Sequence, residues 1–122
     1  MGAVVLIVED NPRNLKLVRD VLGHAGYSTL CACDGEAGVE LARSHRPDLV
    51  LMDINLPGMT GLEALARLRA DAATAAIPVA ALTAYAMTDD RARLLAAGFD
   101  GYLEKPVDVR ALPGQVEALL RR

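Results

Sequence analysis

The chain has 122 residues, 52% of them hydrophobic, with a net charge of -3 and a pI of about 5.3. That length suits one domain, residues 1–122, with a core of ordinary size. The acidic balance argues against general nucleic-acid binding, which wants a basic face. No long apolar run is available to span a membrane. No basic leader with a small-residue cleavage site precedes the first apolar run, so no signal peptide is read and a cytoplasmic protein is expected.

Strand and helix signals alternate five times along the chain. A first apolar run at 3–8 ends in Glu9-Asp10. Asn11-Pro12 opens helix 1, with Pro at its first position. Leu15, Val18, Val21 and Leu22 recur at helical spacing before Gly23 to Gly26 stop it. Strand 2 is read at 28–32. Asp34-Gly35 turns the chain into helix 2, where Ala37, Leu41 and Ala42 face inward and Pro47 closes the segment. Strand 3, at 49–53, is continuously apolar until Asp53. Such a run suits a strand covered on both faces, as in a parallel sheet.

The loop 54–59 contains Pro57-Gly58. Thr60-Gly61-Leu62-Glu63 is a capping-box pattern, and helix 3 continues with Leu62, Leu65, Ala66 and Leu68. Ile77-Pro78 introduces strand 4 at 79–82, which leads into Thr83. Asp89 and Asp90 occupy the first turn of helix 4, where negative charge suits the dipole, and Gly98 stops it. Strand 5 is short, at 101–104, and leads into Lys105-Pro106. Helix 5 is read over 109–120, although Pro113 belongs in a first turn and leaves a later start open.

Five such units predict a doubly wound α/β sandwich with right-handed crossovers. In open parallel sheets the working site lies outside the carboxyl ends of the strands. There the chain collects Glu9, Asp10, Asp53, Thr83 and Lys105: three acids, one hydroxyl and one ammonium. Cys31 and Cys33 point to the same face of an extended segment, a poor arrangement for bonding to each other. They read as small buried hydrophobes. A metal site would need more soft ligands than His24 and His45, which read as helix-end or surface residues.

At these residues the chain resembles the receiver domain of bacterial response regulators, the CheY-like superfamily. The resemblance covers the whole chain. It rests on Glu9-Asp10, Asp53, Pro57-Gly58, Thr83-Ala84 and Lys105-Pro106, in order and at the right spacings. Within the family the chain looks most like stand-alone cell-cycle regulators of the DivK type. The stretches 8–12 and 82–87 also resemble receivers of hybrid histidine kinases. The resemblance implies a flavodoxin-like (βα)5 fold with strand order 2-1-3-4-5.

It also implies roles. Asp53 is the phosphoacceptor. Glu9, Asp10, Asp53 and the backbone carbonyl of Asn55 hold Mg²⁺ (or Mn²⁺). Lys105 pairs with Asp53 and then with the phosphoryl oxygens, and the peptide Lys105-Pro106 is expected to be cis. Thr83 and the Ala84 backbone N–H donate to the phosphoryl group. Thr83 and Tyr102 form the switch pair, and Asn55 and Tyr85 stand at positions that tune phosphate loss. The acidic pair is Glu-Asp where many members have Asp-Asp.

The implied function is a two-component or phosphorelay switch. A histidine kinase or histidine phosphotransferase phosphorylates it, and it signals to a downstream protein through the helix 4–strand 5–helix 5 face. It is expected as a monomer or a weak phosphorylation-dependent dimer, with no nucleic-acid or membrane partner. It assists its own phosphorylation and dephosphorylation without being an enzyme in the ordinary sense.

Three alternatives stand beside this reading. The chain could be a receiver excised from a hybrid kinase or larger regulator, although Met1 and the end at Arg122 favour a stand-alone protein. It could be a pseudo-receiver, against which the intact residue set argues. It could be a Mg²⁺-dependent aspartyl phosphatase. Haloacid-dehalogenase-like phosphatases usually carry a second Asp two residues after the nucleophile; Asn55 stands there, and the chain has no cap domain.

Overall fold

The computed structural model describes residues 3–84 and 88–121, with 88–91 described by backbone alone. In chain order the elements are β1 (Val4–Val8), α1 (Pro12–His24), β2 (Ser28–Ala32), α2 (Gly35–His45), β3 (Leu49–Asp53), α3 (Gly61–Ala70), β4 (Val79–Thr83), α4 (Thr88–Ala97), β5 (Gly101–Glu104) and α5 (Leu112–Leu120). All strand pairs are parallel, in the order β2-β1-β3-β4-β5. This is the doubly wound sheet that the alternating pattern predicts.

Strand alternation sorts the core into two layers. Leu6, Val8, Val50, Met52 and Ala81 point to the face covered by α2, α3 and α4, where Ala42, Leu65, Leu68, Leu94 and Phe99 meet them. Val5, Ile7, Leu49, Leu51, Ala80 and Leu82 point to the other face, against Val18 and Leu22 of α1 and Leu112 and Val116 of α5. β3 and β4 are buried along their whole length, so their apolar runs show no polar alternation. Truncating a leucine such as Leu51 to alanine would cost about 2–5 kcal/mol.

Local chemistry sets the helix starts. Asn11 Oδ1 accepts the Arg13 and Asn14 amides at 2.9 and 3.2 Å, and Pro12 occupies the first turn of α1. Asp34 Oδ1 accepts Ala37 N–H at 2.7 Å. Thr60 and Glu63 form the full capping box at the start of α3. Gly98 follows α4 with φ +112°, the left-handed stop. α5 begins at Leu112, three residues later than the outer limit read from sequence, which puts Pro113 in its first turn. Proline has no N–H to donate in a helix interior, so the helix yields to it.

One inward-facing expectation is corrected: Ala37 is exposed. Leu62 and Ala66 of α3 are exposed as well. The buried stripe of α3 is Gly61, Ala64, Leu65 and Leu68, and that of α2 is Gly35, Gly38 and Ala42. Both helices approach the sheet so closely that glycine, which a hydrophobicity pattern passes over, makes the contact. A Cβ on Gly38 would lie 2.6 Å from Val8 Cγ2. Cys33 is exposed too, because β2 ends at Ala32 and Cys33 has already left the sheet. Asp89 and Asp90 fall in the first turn of α4, but their side chains, like residues 85–87, lie outside the described set.

Candidate functional site

The parallel register brings the strand ends level. β1 and β3 lie side by side, with Val8 opposite Met52, so Glu9 and Asp53 emerge at the same edge. Asp53 pairs with Leu82, and Thr83 pairs with Glu104. The Lys105 amide continues the ladder, donating to Thr83 O at 2.8 Å. The peptide between Lys105 and Pro106 is cis. All five residues collected from sequence therefore stand at one end of the sheet.

Lys105 Nζ lies 2.8 Å from Glu9 Oε1 and 2.9 Å from Asp53 Oδ2. Glu9 and Asp53 are almost wholly buried, at 1% and 2% exposure, and Thr83 is buried at 5%. Asp10 is exposed and faces solvent at the rim. Backbone amides complete the first contacts: Asn55 N–H donates to Asp53 Oδ1 at 3.0 Å, and Asn11 N–H to Glu9 Oε2 at 3.2 Å. Ala84 follows Thr83 and is exposed. Tyr102 is half-buried on β5 and packs against the α2/α3/α4 layer. Tyr85 lies outside the described residues.

The electrostatics are uneven. Burial, and then the hydrogen bond it shares with Asp53, raise Glu9 from 4.5 to about 7, against the opposing pull of Lys105. Asp53 goes the other way. Burial alone would raise it, but bonds to Glu9, Lys105 and the Asn55 amide outweigh burial and hold it below its usual value. Lys105 is raised, because its two carboxylate partners overcome burial. Of the two buried carboxyls, Asp53 is thus biased toward its ionised form and Glu9 toward its protonated one.

Carboxylate oxygens of Glu9, Asp10 and Asp53 come within 4.8 Å of one another. Glu9 Oε1 is buried and accepts no hydrogen bond of normal geometry, although the ammonium stands near it. One cation short of its charge, with oxygen donors only, this cluster fits a small hard divalent ion.

Sequence reasoning found the charged members and missed the backbone that seats them. Ile54 N–H donates to Leu82 O at 3.1 Å, and Gly61 N–H donates to Ile54 O at 3.0 Å. A Cβ on Gly61 would overlap the Asp53 carbonyl oxygen and lie 2.8 Å from Ile54 Cα. The available signal was a glycine at the first helical position, directly after the capping threonine.

Comparison with known proteins agrees with this arrangement. The family model for the response regulator receiver domain matches residues 5–117. The polar-differentiation response regulator DivK of Brucella anthropi is 47% identical over 109 residues, covering 89% of each chain. The receiver domain of a sensor histidine kinase from Pseudomonas aeruginosa superposes with a TM-score of 0.90 at 34% identity, covering 100% of both chains; its crystal structure has a magnesium ion coordinated in the active-site cleft. The chemotaxis protein CheY4 of Vibrio cholerae superposes with a TM-score of 0.91 at 28% identity, over 98% of this chain and 99% of that one. No helix among the described residues is long and apolar enough to cross a membrane. The chain belongs to the response regulator receiver domain family, whose members are switches of two-component signalling.

Proposed function

We propose that this chain is a single receiver domain, residues 1–122, that accepts a phosphoryl group on Asp53 from a histidine kinase or histidine phosphotransferase. The observation that supports this best is the buried pairing of Asp53 with Lys105 at 2.9 Å, at the carboxyl edge of the sheet. Asp53 stays ionised there and is a competent oxygen nucleophile.

In the reaction a carboxylate oxygen of Asp53 attacks phosphorus, and the donor's P–N bond breaks as the new P–O bond forms. The product is an acyl phosphate, and the donor imidazole leaves. Phosphoryl transfer asks mainly for positioning and charge neutralisation. Lys105 supplies a compact positive charge that turns from Asp53 toward the phosphoryl oxygens. The Thr83 hydroxyl and the Ala84 amide donate to them. Glu9, Asp10, Asp53 and the Asn55 carbonyl would hold Mg²⁺ (or Mn²⁺), which when bound neutralises charge on the transferring group.

The added group brings about 1.5 to 2 negative charges and three strong acceptors. Thr83 and Lys105 feel it first, and α4, β5 and α5 follow them directly in the chain. We read the face these elements share, with Leu95, Tyr102, Pro106 and Gln115 along its groove, as the output surface. Tyr102 moves with Thr83 in this scheme. A swing from 1:99 to 99:1 needs about 5.5 kcal/mol of differential stabilisation. Two or three charge-assisted bonds supply part of it, and a target that prefers the active form supplies the rest. The protein acts in the cytoplasm, as a monomer or a weak phosphorylation-dependent dimer.

The test is intact-protein mass spectrometry after incubation with acetyl phosphate, with Mg²⁺ and with chelator. A phosphoryl adduct that requires the metal is expected. A folded protein that stays unmodified under both conditions contradicts the proposal.

A further inference from the structure

We propose that Gly61 is a positioning residue for Asp53: its missing side chain lets the first turn of α3 lie directly on the peptide that carries the nucleophile. This rests on the phosphoacceptor reading above and adds a residue to it.

Ile54, the residue directly after the nucleophile, is clamped through the peptides on both of its sides. On the sheet side, Ile54 N–H donates to Leu82 O at 3.1 Å. On the helix side, Gly61 N–H donates to Ile54 O at 3.0 Å. Asp53 Oδ1 also takes the Asn55 amide at 3.0 Å, so the carboxylate is aimed by the same short stretch of backbone. The atoms nearest a Cβ on Gly61 are all backbone: Asp53 O, which it would overlap, Ile54 Cα at 2.8 Å and Asp53 C at 3.1 Å.

The nature of these neighbours decides the outcome. A clash with the far end of a flexible side chain is relieved by a rotamer change. Here nothing on Asp53 or Ile54 can rotate away, so either α3 lifts or the end of β3 moves. α3 is held down by Ala64, Leu65 and Leu68, all buried at 0–1% exposure, and by its capping box. Part of the displacement therefore reaches Asp53, whose carboxylate must stay within reach of Lys105 and Glu9. A misplacement of about 1 Å at a reacting group is worth roughly a hundredfold in rate.

Other glycines serve as comparison. A Cβ on Gly114, in α5, would meet nothing within 4 Å. Gly61 is buried, and its φ lies outside the left-handed range that singles out Gly26, Gly58 and Gly98. Glycine is required at 61 for space and not for conformation.

The experiment compares wild type, Gly61→Ala, Gly114→Ala and Val116→Ala. Val116 is buried in α5 and serves as a destabilised control remote from Asp53. Two readouts are taken for each: the rate constant for adduct formation from acetyl phosphate at saturating Mg²⁺, and the backbone amide NMR shifts of Ile54 and Asn55 without metal. Gly61→Ala is expected to slow the reaction by at least about tenfold and to move both amide shifts. Gly114→Ala and Val116→Ala are expected to react within about twofold of wild type, whatever their stability.

A Gly61→Ala protein that reacts at the wild-type rate with unmoved shifts overturns the inference. So does equal slowing in Val116→Ala, which would make the effect one of stability. If wild type takes no phosphoryl group, the functional reading fails, and the amide shifts still decide the positioning claim. If Gly61→Ala does not fold, amide exchange in wild type decides. The Gly61 amide is expected to be protected to within about tenfold of Ile54, as one clamped unit; faster exchange overturns the proposal.

Discussion

Lys105 Nζ lies 2.9 Å from Asp53 Oδ2, with 3% of the Asp53 side chain exposed. The same ammonium lies 2.8 Å from Glu9 Oε1, so one cation balances two buried carboxyl groups. Replacing it leaves like groups sharing a site with no counter-charge. Lys105→Met is expected to lose about 1–3 kcal/mol at pH 8 without metal, with a smaller loss at pH 5, where Glu9 is neutral in both proteins. Urea unfolding at the two pH values measures this. A loss that is the same at both contradicts the pairing.

Glu9 carries the clearest pH dependence. Its value is raised from 4.5 to about 7 in the folded chain, so between those values the native state binds more protons than the unfolded state. Stability from this group is complete below 4.5 and is lost as pH rises through about 7. Asp53 has the opposite sign: its depressed value gives stability above 3.8 that is lost as pH falls below it. The two windows do not overlap. Glu9→Gln in the metal-free protein is therefore expected to flatten the decline between pH 5 and 8 and to gain about 1–3 kcal/mol at pH 8. Thermal melts across that range, wild type against variant, show whether the curves converge at low pH as they should.

Much of the candidate site is legible in the sequence because a polar or charged residue that ends a buried apolar run is carried to the carboxyl edge of the sheet. Glu9, Asp53, Thr83 and Lys105 each close a strand signal, and the parallel register then places them together. What the pattern could not supply is how closely the layers approach. Leu62 and Ala66 stand out as apolar residues of helix 3, yet the buried stripe of α3 runs through Gly61 and Ala64 beside them. Cys33 read as buried because free cysteines commonly serve as small buried hydrophobes, yet it lies just past the end of β2 and is exposed. Glycine contributes nothing to a hydrophobicity pattern, so Gly38 against Val8 and Gly61 against Asp53 emerge only from the packed backbone.

At the opposite edge of the sheet Arg69 ties three segments together. Its Nη1 donates to Ala75 O and Ile77 O at 3.2 and 2.7 Å, and its Nη2 to Gly98 O and Asp100 Oδ2 at 3.1 and 2.8 Å. Asp100 Oδ2 also accepts Val79 N–H at 2.8 Å, which fixes the start of β4. The Arg69 side chain is 28% exposed, so its ion pair is partly screened and the carbonyl bonds carry more of the effect. Arg69→Ala is expected to cost about 2 kcal/mol while leaving the phosphorylation rate at low temperature unchanged. A loss of that rate in protein shown to be folded would mean that this edge communicates with Asp53.

Thr60 isolates helix capping from positioning. Its Oγ1 accepts Glu63 N–H at 3.2 Å, and Glu63 Oε1 accepts Thr60 N–H at 3.3 Å. Thr60→Ala is expected to lose about 1 kcal/mol by denaturant titration. Because Gly61 N–H keeps its bond to Ile54 O, phosphorylation should proceed at nearly the wild-type rate. Slowing as large as that of Gly61→Ala would assign the aim of Asp53 to the cap.

The central claim is that the phosphoryl group goes to Asp53. The most direct measurement is borohydride reduction of the protein after acetyl phosphate and Mg²⁺, followed by peptide mass mapping, with Asp53→Asn alongside. An acyl phosphate is reduced to the alcohol, so homoserine at position 53 in wild type, and none in the variant, is the predicted result. Reduction at another carboxyl group, or an adduct that survives in Asp53→Asn at the wild-type level, would contradict the account.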